Sequence, residues 1–311
     1  MSNQEAGRGG FQRTPADGGP RSESQANAIA LRDAAMHGDV EEVRRLIPIS
    51  NPLHDGSIAL RGAAGGGMAE CVRLLIPVSD PLARNSHALQ AAAMAGSIEC
   101  VRLLIPVSDH LADDCLALEW ACKGGHAECA RELAALGPSV AALGKALKTS
   151  AELGKLECLE ALMERVECLD SVEGALMAAA ELGYAKCLGL LLSWKGSGGA
   201  IARPPARASA LSVAARTGKL DCVKILIQRG GHDGASAALR SAALSGRLAC
   251  VEELLPLFKP SMALPTRTAI ADKARVFGQE AAAEMIEAFV EQEELQIALA
   301  PAKSGEKTPR L

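Results

Sequence analysis

The sequence predicts an all-α solenoid: about eight stacked helix–turn–helix units closed by a C-terminal helical cap. Three observations lead to this fold. First, the stretch Ala88–Pro106 recurs one 29-residue step earlier and one step later along the chain. Self-similarity at a fixed period of about 20–50 residues marks a stacked-repeat architecture. Second, glycines punctuate the chain at Gly38, Gly67, Gly96, Gly125, Gly154, Gly183, Gly218 and Gly246, with the step of 29 residues broken only by a 35-residue and then a 28-residue step at the end. Third, the columns around each glycine are constant. An Ala-Leu pair begins eight residues before it, as in Ala30–Leu31, Ala88–Leu89 and Ala238–Leu239, and a leucine stands eight residues after it, from Leu46 to Leu254.

Within one unit the apolar positions follow helical spacing. Leu89, Ala92 and Ala93 stand at i, i+3 and i+4 on one face of a first helix; Cys100, Val101, Leu104 and Ile105 share one face of a second. Gly96 is placed to end the first helix in a left-handed conformation. Pro106 and its counterparts Pro48, Pro77 and Pro256 end the second, because proline disfavours a helical residue before it. Ser57, Ser86 and Ser236 are positioned as N-caps of first helices. Neither helix is long enough to be stable alone, so stacking must hold both. Hydrophobic residues make up 49% of the chain and aromatic residues only 2%, so the core must be built from Ala, Leu, Val, Ile and Cys.

Taken in order, residues 1–25 read as a disordered tail rich in Gly, Arg and Ser. The solenoid spans 26–299, and 300–311 form a second, charged disordered tail. The first three units share an Ile-Pro exit (Ile47–Pro48, Ile76–Pro77, Ile105–Pro106) that is then lost until Pro256. An insertion at 193–209, rich in Gly and Pro, reads as a protruding loop that divides the stack into two cooperative blocks. After Pro256 a degenerate ninth unit, Thr268–Phe277 with Glu280–Leu299, carries Glu284, Glu287, Glu291, Glu293 and Glu294 and reads as the polar-faced cap. Glu70/Arg73, Glu99/Arg102 and Glu128/Arg131 are expected as solvated i, i+3 pairs on second helices.

The net charge of −4 argues against general nucleic-acid affinity. The N-terminal stretch has no apolar core of a signal peptide, and no run of 18 apolar residues suits a membrane span. Seven of the ten cysteines, from Cys71 to Cys250, stand four residues after a repeat glycine, so each belongs to its own layer as a small buried hydrophobe. Reduced thiols imply a cytoplasmic location, or a host cytosol for a secreted effector. Cys115, Cys122, His126 and Cys129 are the best metal candidate, but they lack the tight Cys-x2–4-Cys knuckle of zinc sites. The Gly137–Lys145 stretch has the wrong spacing for a phosphate loop, with Ala146 where a hydroxyl belongs. No nucleophile, base and orienting group stand together, so neither catalytic residues nor a metal or cofactor are assigned.

At these residues the chain resembles the ankyrin repeat, whose unit carries an A-A-x-x-G-H-x-E-x-V-x-x-L-L run. The third unit gives Ala92–Ala93–Met94–Ala95–Gly96–Ser97–Ile98–Glu99–Cys100–Val101–Arg102–Leu103–Leu104, and the fourth gives Ala121–Cys122–Lys123–Gly124–Gly125–His126–Ala127–Glu128. The resemblance covers about Ala28 to Leu299. The chain departs from the usual period of about 33 residues and from the T-P-L-H opening. The missing residues fall between units, where that family carries a β-hairpin, so hairpins are expected to be shortened or absent. The resemblance implies a non-catalytic scaffold that holds a protein partner on a concave face and loops. The positions before each turn glycine are then the contact column: Met36, His37, Met94, Lys123, Glu152, Glu181 and Arg216, flanked by Arg32, Arg61, Gln90, Glu119, Lys148 and Arg240. A monomer is expected. The alternatives are a regulatory or targeting subunit that recruits an enzyme and an effector acting in a host cytosol.

Overall fold

The computed structural model describes residues 23–166, 169–195, 203–257 and 260–299. Within them eighteen α-helices form nine pairs, and no strand is present among the described residues. The pairs are α1 Glu23–His37 with α2 Val40–Leu46, α3 His54–Gly65 with α4 Ala69–Leu75, and α5 Ala83–Ala95 with α6 Ile98–Leu104. Next come α7 Ala112–Gly124 with α8 Ala127–Ala134, α9 Val140–Glu152 with α10 Leu156–Met163, and α11 Leu169–Leu182 with α12 Ala185–Ser193. The last are α13 Pro204–Thr217 with α14 Leu220–Gln228, α15 Ala235–Leu244 with α16 Leu248–Leu254, and α17 Pro260–Val276 with α18 Glu280–Leu299. Each first helix packs on the first helices of its neighbours, and each second helix on second helices. The stack therefore has two layers.

The third unit shows why each pair forms. Ala88, Leu89, Ala92 and Ala93 bury one face of α5, and Cys100, Val101 and Leu104 bury one face of α6. Gly96 adopts φ +73°, and the Ser97 amide donates back to the Ala92 carbonyl at 3.1 Å. That left-handed residue satisfies carbonyls the helix end would leave bare. After α6 a single 3-10 turn, Ile105–Val107, contains Pro106 and closes the unit. Alanines on the first helices let adjacent layers close, and one continuous hydrophobic core runs from Leu31 to Ile286.

The connections between the early units hold no hairpin. Each instead makes a left-handed turn of three consecutive residues: Asp55–Gly56–Ser57, Arg84–Asn85–Ser86 and Asp113–Asp114–Cys115. For an L-residue this conformation costs about 1–2 kcal/mol. Hydrogen bonds between units offset part of that cost. The Asp80 amide donates to Ser57 Oγ at 2.8 Å, and the Asp109 amide to Ser86 Oγ at 2.8 Å. Ser57 and Ser86 are thus buried seam residues and do not cap their own helices, because the left-handed turn swings each hydroxyl toward the next unit. Ser236 lies within α15, and Gly234 takes the cap position. Cys115 is the third member of the Ser57 and Ser86 column and is equally buried.

Other expectations are corrected. Residues 204–209 of the expected insertion loop belong to α13, since Pro204 sits at the helix start, where its fixed φ suits the first turn. Residues 196–202 lie outside the described residues, as do 1–22 and 300–311 of the expected tails. Glu23–Gln25, read as tail, begin α1. Packing continues across the insertion: α13 contacts α11, α14 contacts α12, Trp194 packs on the core, and Arg203 bridges to Asp170 and Glu173. The packing shows no break where a block boundary was expected. Arg102 turns away from Glu99 to Glu132 in the next unit at 2.6 Å, whereas Glu70–Arg73 forms at 3.7 Å. In the cap, Glu293 does not join a purely outward acidic face. It pairs with the fully buried Arg267, whose guanidinium also lies 5.3 Å from the Phe289 ring centroid.

Leu104 is fully buried in the seam, and Leu299 is 78% exposed at the cap. Leu104→Ala should therefore remove about 2–5 kcal/mol by leaving a cavity, and Leu299→Ala far less. Urea unfolding midpoints of the two variants check this.

Candidate protein interface

The residues expected to form a contact column lie on the first-helix layer. Met36, Met94, Lys123, Glu181 and Arg216 are exposed two residues before their glycines, because the buried face of each first helix turns to the core and the opposite face is left free. Arg240 and Lys148 are also exposed, and Arg32 and Arg61 are half-buried. Several are engaged locally. His37 Nδ1 lies 2.7 Å from the Asp33 carbonyl, and Arg32 pairs with Asp33 at 2.5 Å. Arg61 reaches Asp55 at 3.5 Å, Lys148 reaches Glu152 at 3.7 Å, and Arg216 spans the insertion to Glu181 at 3.2 Å.

Two of the expected contact residues are not free surface. Gln90 is buried, and its Nε2 donates to the Asn85 carbonyl at 2.8 Å, holding the left-handed turn. Glu119 is also buried and takes Lys123 Nζ and Lys145 Nζ, each at 2.7 Å. Both stand next to the buried Leu of the Ala-Leu column, closer to the core than the positions preceding the glycine.

The structure adds one residue that the sequence reading passed over. Trp120 is half-buried on the first-helix face, with Lys123 Nζ 4.6 Å from its ring centroid. Its counterparts one and two units earlier are Ala91 and Gly62, and the next is Thr149. A large aromatic in a column of small residues, in a chain with two tryptophans, was the available signal. Farther along the layer, Lys148, Glu152 and Glu181 come together around an open hollow of about 620 Å³ whose wall includes the small residues Gly174 and Ala178.

Burial raises six of the repeat thiols, while the hydrogen bond with Cys122 lowers the Cys158 thiol. Burial pushes the Cys129 and Cys222 thiols up to about 11, so both stay protonated and unreactive at neutral pH. His126 Nε2 lies 3.1 Å from the Met94 carbonyl of the preceding unit, a packing role. Among the described residues, no three His, Cys, Asp or Glu side chains gather as a metal site would require. No described helix is long and apolar enough to cross a membrane.

Burial works to raise the Glu119 carboxyl, but the hydrogen bonds from Lys123 and Lys145 outweigh it and hold the group below the usual carboxylate range. A depressed folded value stabilises the fold above the unfolded value, and that stability is lost as pH falls through the folded value. Glu119→Gln should then cost on the order of 1 kcal/mol at pH 7. The gap from the wild-type urea midpoint should begin to shrink as the pH falls below the unfolded carboxyl value of about 4.3 and close only below the depressed folded value.

Comparison with known proteins agrees with this architecture. The family model for ankyrin repeats (3 copies) matches residues 31–113, 60–143, 89–172 and 176–262. Among solved structures, the human ASB11 ankyrin repeat domain is 23% identical with a TM-score of 0.52, covering 65% of this chain and 97% of that one. The ankyrin repeat domain of Bcl-3 is 21% identical with a TM-score of 0.48, covering 64% and 97%. A comparison with curated protein sequences gives no match. Ankyrin repeats are in general protein–protein interaction modules. With the family model matching well over half its length, this chain belongs to the ankyrin repeat family.

Proposed function

We propose that the chain is a non-catalytic scaffold that grips a protein partner along the first-helix layer, from Trp120 to Glu181. The observation that carries this reading is the grouping of Lys148, Glu152 and Glu181 around the open hollow, one unit beyond Trp120 and Lys123. A large aromatic carrying a cation over its ring is the kind of residue enriched at interface hot spots. Lys148 pairs with Glu152 and Arg216 with Glu181, so the face offers half-engaged charges of both signs in a fixed pattern, which sets the register of a partner of complementary charge. Nine free, buried thiols among the described residues support a reducing, cytosolic setting, in the cell of origin or in a host. Recruitment of an enzyme would use the same face.

The test is affinity capture by the intact chain. Trp120→Ala and the double charge reversal Lys148→Glu with Glu181→Lys should each weaken capture of specific partners by about tenfold or more, the scale of a hot-spot loss. Glu70→Lys, on the second-helix layer, should leave capture unchanged. Equal capture by all four proteins overturns the reading.

A further inference from the structure

The connections that replace hairpins leave a second, separate surface. Leu53, Leu82, Leu111 and Val140 occupy the same place in four successive units, and they are 56%, 57%, 49% and 61% exposed. In the first three connections Ile49, Val78 and Val107 add a second exposed aliphatic side chain four residues earlier. Hydrogen bonds between units hold these connections side by side: Asp80 and Asp109 amides on Ser57 and Ser86, Asn85 on Asp113 at 2.9 Å, and Ser139 on Asp114 at 3.1 Å. The side chains therefore form a fixed row. At its end lies a hollow of about 240 Å³ lined by Pro138, Val140, Leu143 and Val166, with Arg165 on its wall.

The row is bordered by negative charge. Asp55, Asp80, Asp109, Asp113 and Asp114 are exposed along it, against Arg61 and Arg84, and against Lys145, which lies near Asp114 but is paired with Glu119. Both arginines are spent on Asp55. Among the described residues, the other four carboxylates accept only from neutral donors: the Leu82 and Leu111 amides, Asn85 and Gln90, and the Ser139 hydroxyl. A second copy laid on this row would set carboxylate against carboxylate, and an anionic membrane would be repelled. A cationic partner is favoured.

Spacing narrows the partner further. Neighbouring helices in a stack lie about 8–10 Å apart. A polyproline II helix repeats every three residues with a rise of about 3.1 Å each, so one of its edges advances by about 9 Å per turn. We propose that the row seats a basic, polyproline II-like segment of a protein partner, with an aliphatic side chain at every third residue. Its lysines or arginines meet Asp80, Asp109, Asp113 and Asp114, and its terminal apolar side chain enters the hollow beside Val140. This surface is independent of the Trp120 face and needs no ligand there.

The probe is a fluorescein-labelled peptide of three Leu-Pro-Lys triplets followed by Phe, titrated with the full chain by fluorescence anisotropy. Controls are a shuffled peptide without the three-residue spacing and a Leu-Pro-Glu version. Binding should be saturable and about tenfold or more tighter than for either control. Leu82→Ser with Leu111→Ser should abolish it. Asp80→Asn with Asp109→Asn should weaken it severalfold and flatten its salt dependence; asparagine already fills the equivalent place at Asn51, where its side chain accepts the Leu53 amide. Trp120→Ala should bind the peptide as the wild type does. Unchanged thermal unfolding of the row variants confirms that they fold. Absent binding, equal binding of the controls, or equal binding by the Leu82/Leu111 variant overturns the proposal. So does a concentration-dependent dimer that the Leu82/Leu111 variant abolishes, which would make the row a self-interface.

Discussion

The stack depends on how closely each unit seats on the turn of the one before it. The residue just after each turn glycine lies over the glycine of the preceding unit: His126 over Gly96, Tyr184 over Gly154. A Cβ at either glycine would collide with that ring. The glycine therefore answers two demands at once. It takes the positive φ that ends the first helix, and it leaves the space into which the next unit presses. Seven-residue second helices such as α6 have no stability of their own. They exist because this seat brings Leu104 and its equivalents within van der Waals contact of the next layer. Unit stability and interface stability are thus one quantity, as expected of a quasi-one-dimensional fold.

A seat that tight leaves little length for a connection. With 29 residues per unit, the chain must return from the end of one second helix to the start of the next first helix in a few steps. A 3-10 turn and a three-residue left-handed turn accomplish the return without a hairpin. The backbone cost of the left-handed residues is met by groups that act between units, Ser57 on Asp80 and Ser86 on Asp109. The aliphatic side chains of the connection have no neighbour left to cover them. Exposure at Leu53, Leu82 and Leu111 is a consequence of the short period, not an accident of one loop.

Much of this was legible in the sequence because the repeat is its own alignment. Columns that never change, such as Leu89 and Leu104, identify the core, and all of the repeat cysteines are buried as their place in the period requires. What the period could not show was direction in space. Ser86 has the composition of an N-cap, yet the left-handed turn aims its hydroxyl at another unit. Gln90 and Glu119 look like variable surface residues because their identity changes between units, but both variants satisfy buried polar needs: one holds a turn, the other gathers two lysines. Variation marks exposure only where the packing does not ask different things of different layers. Trp120 was hidden for the opposite reason. Its column holds mostly small residues, Gly62, Ala91 and Ala178 among them, which the period marks as packing positions.

The two proposed surfaces divide along the same physical line. On the first-helix layer, side chains before the glycine are free to vary because the seat is made by residues on either side of them. That face can therefore carry charge of either sign and one aromatic without disturbing the stack. On the connection edge the situation reverses. The aliphatic residues recur with the period, and the carboxylates that flank them are partly occupied with holding Leu82 and Leu111 amides in place. A partner reading that edge meets the repeat itself, in register with every unit from Leu53 to Val140. A partner reading the first-helix face meets what distinguishes one unit from the next. One surface thus selects for spacing and follows from a connection built without a hairpin; the other selects for identity and follows from the glycine seat.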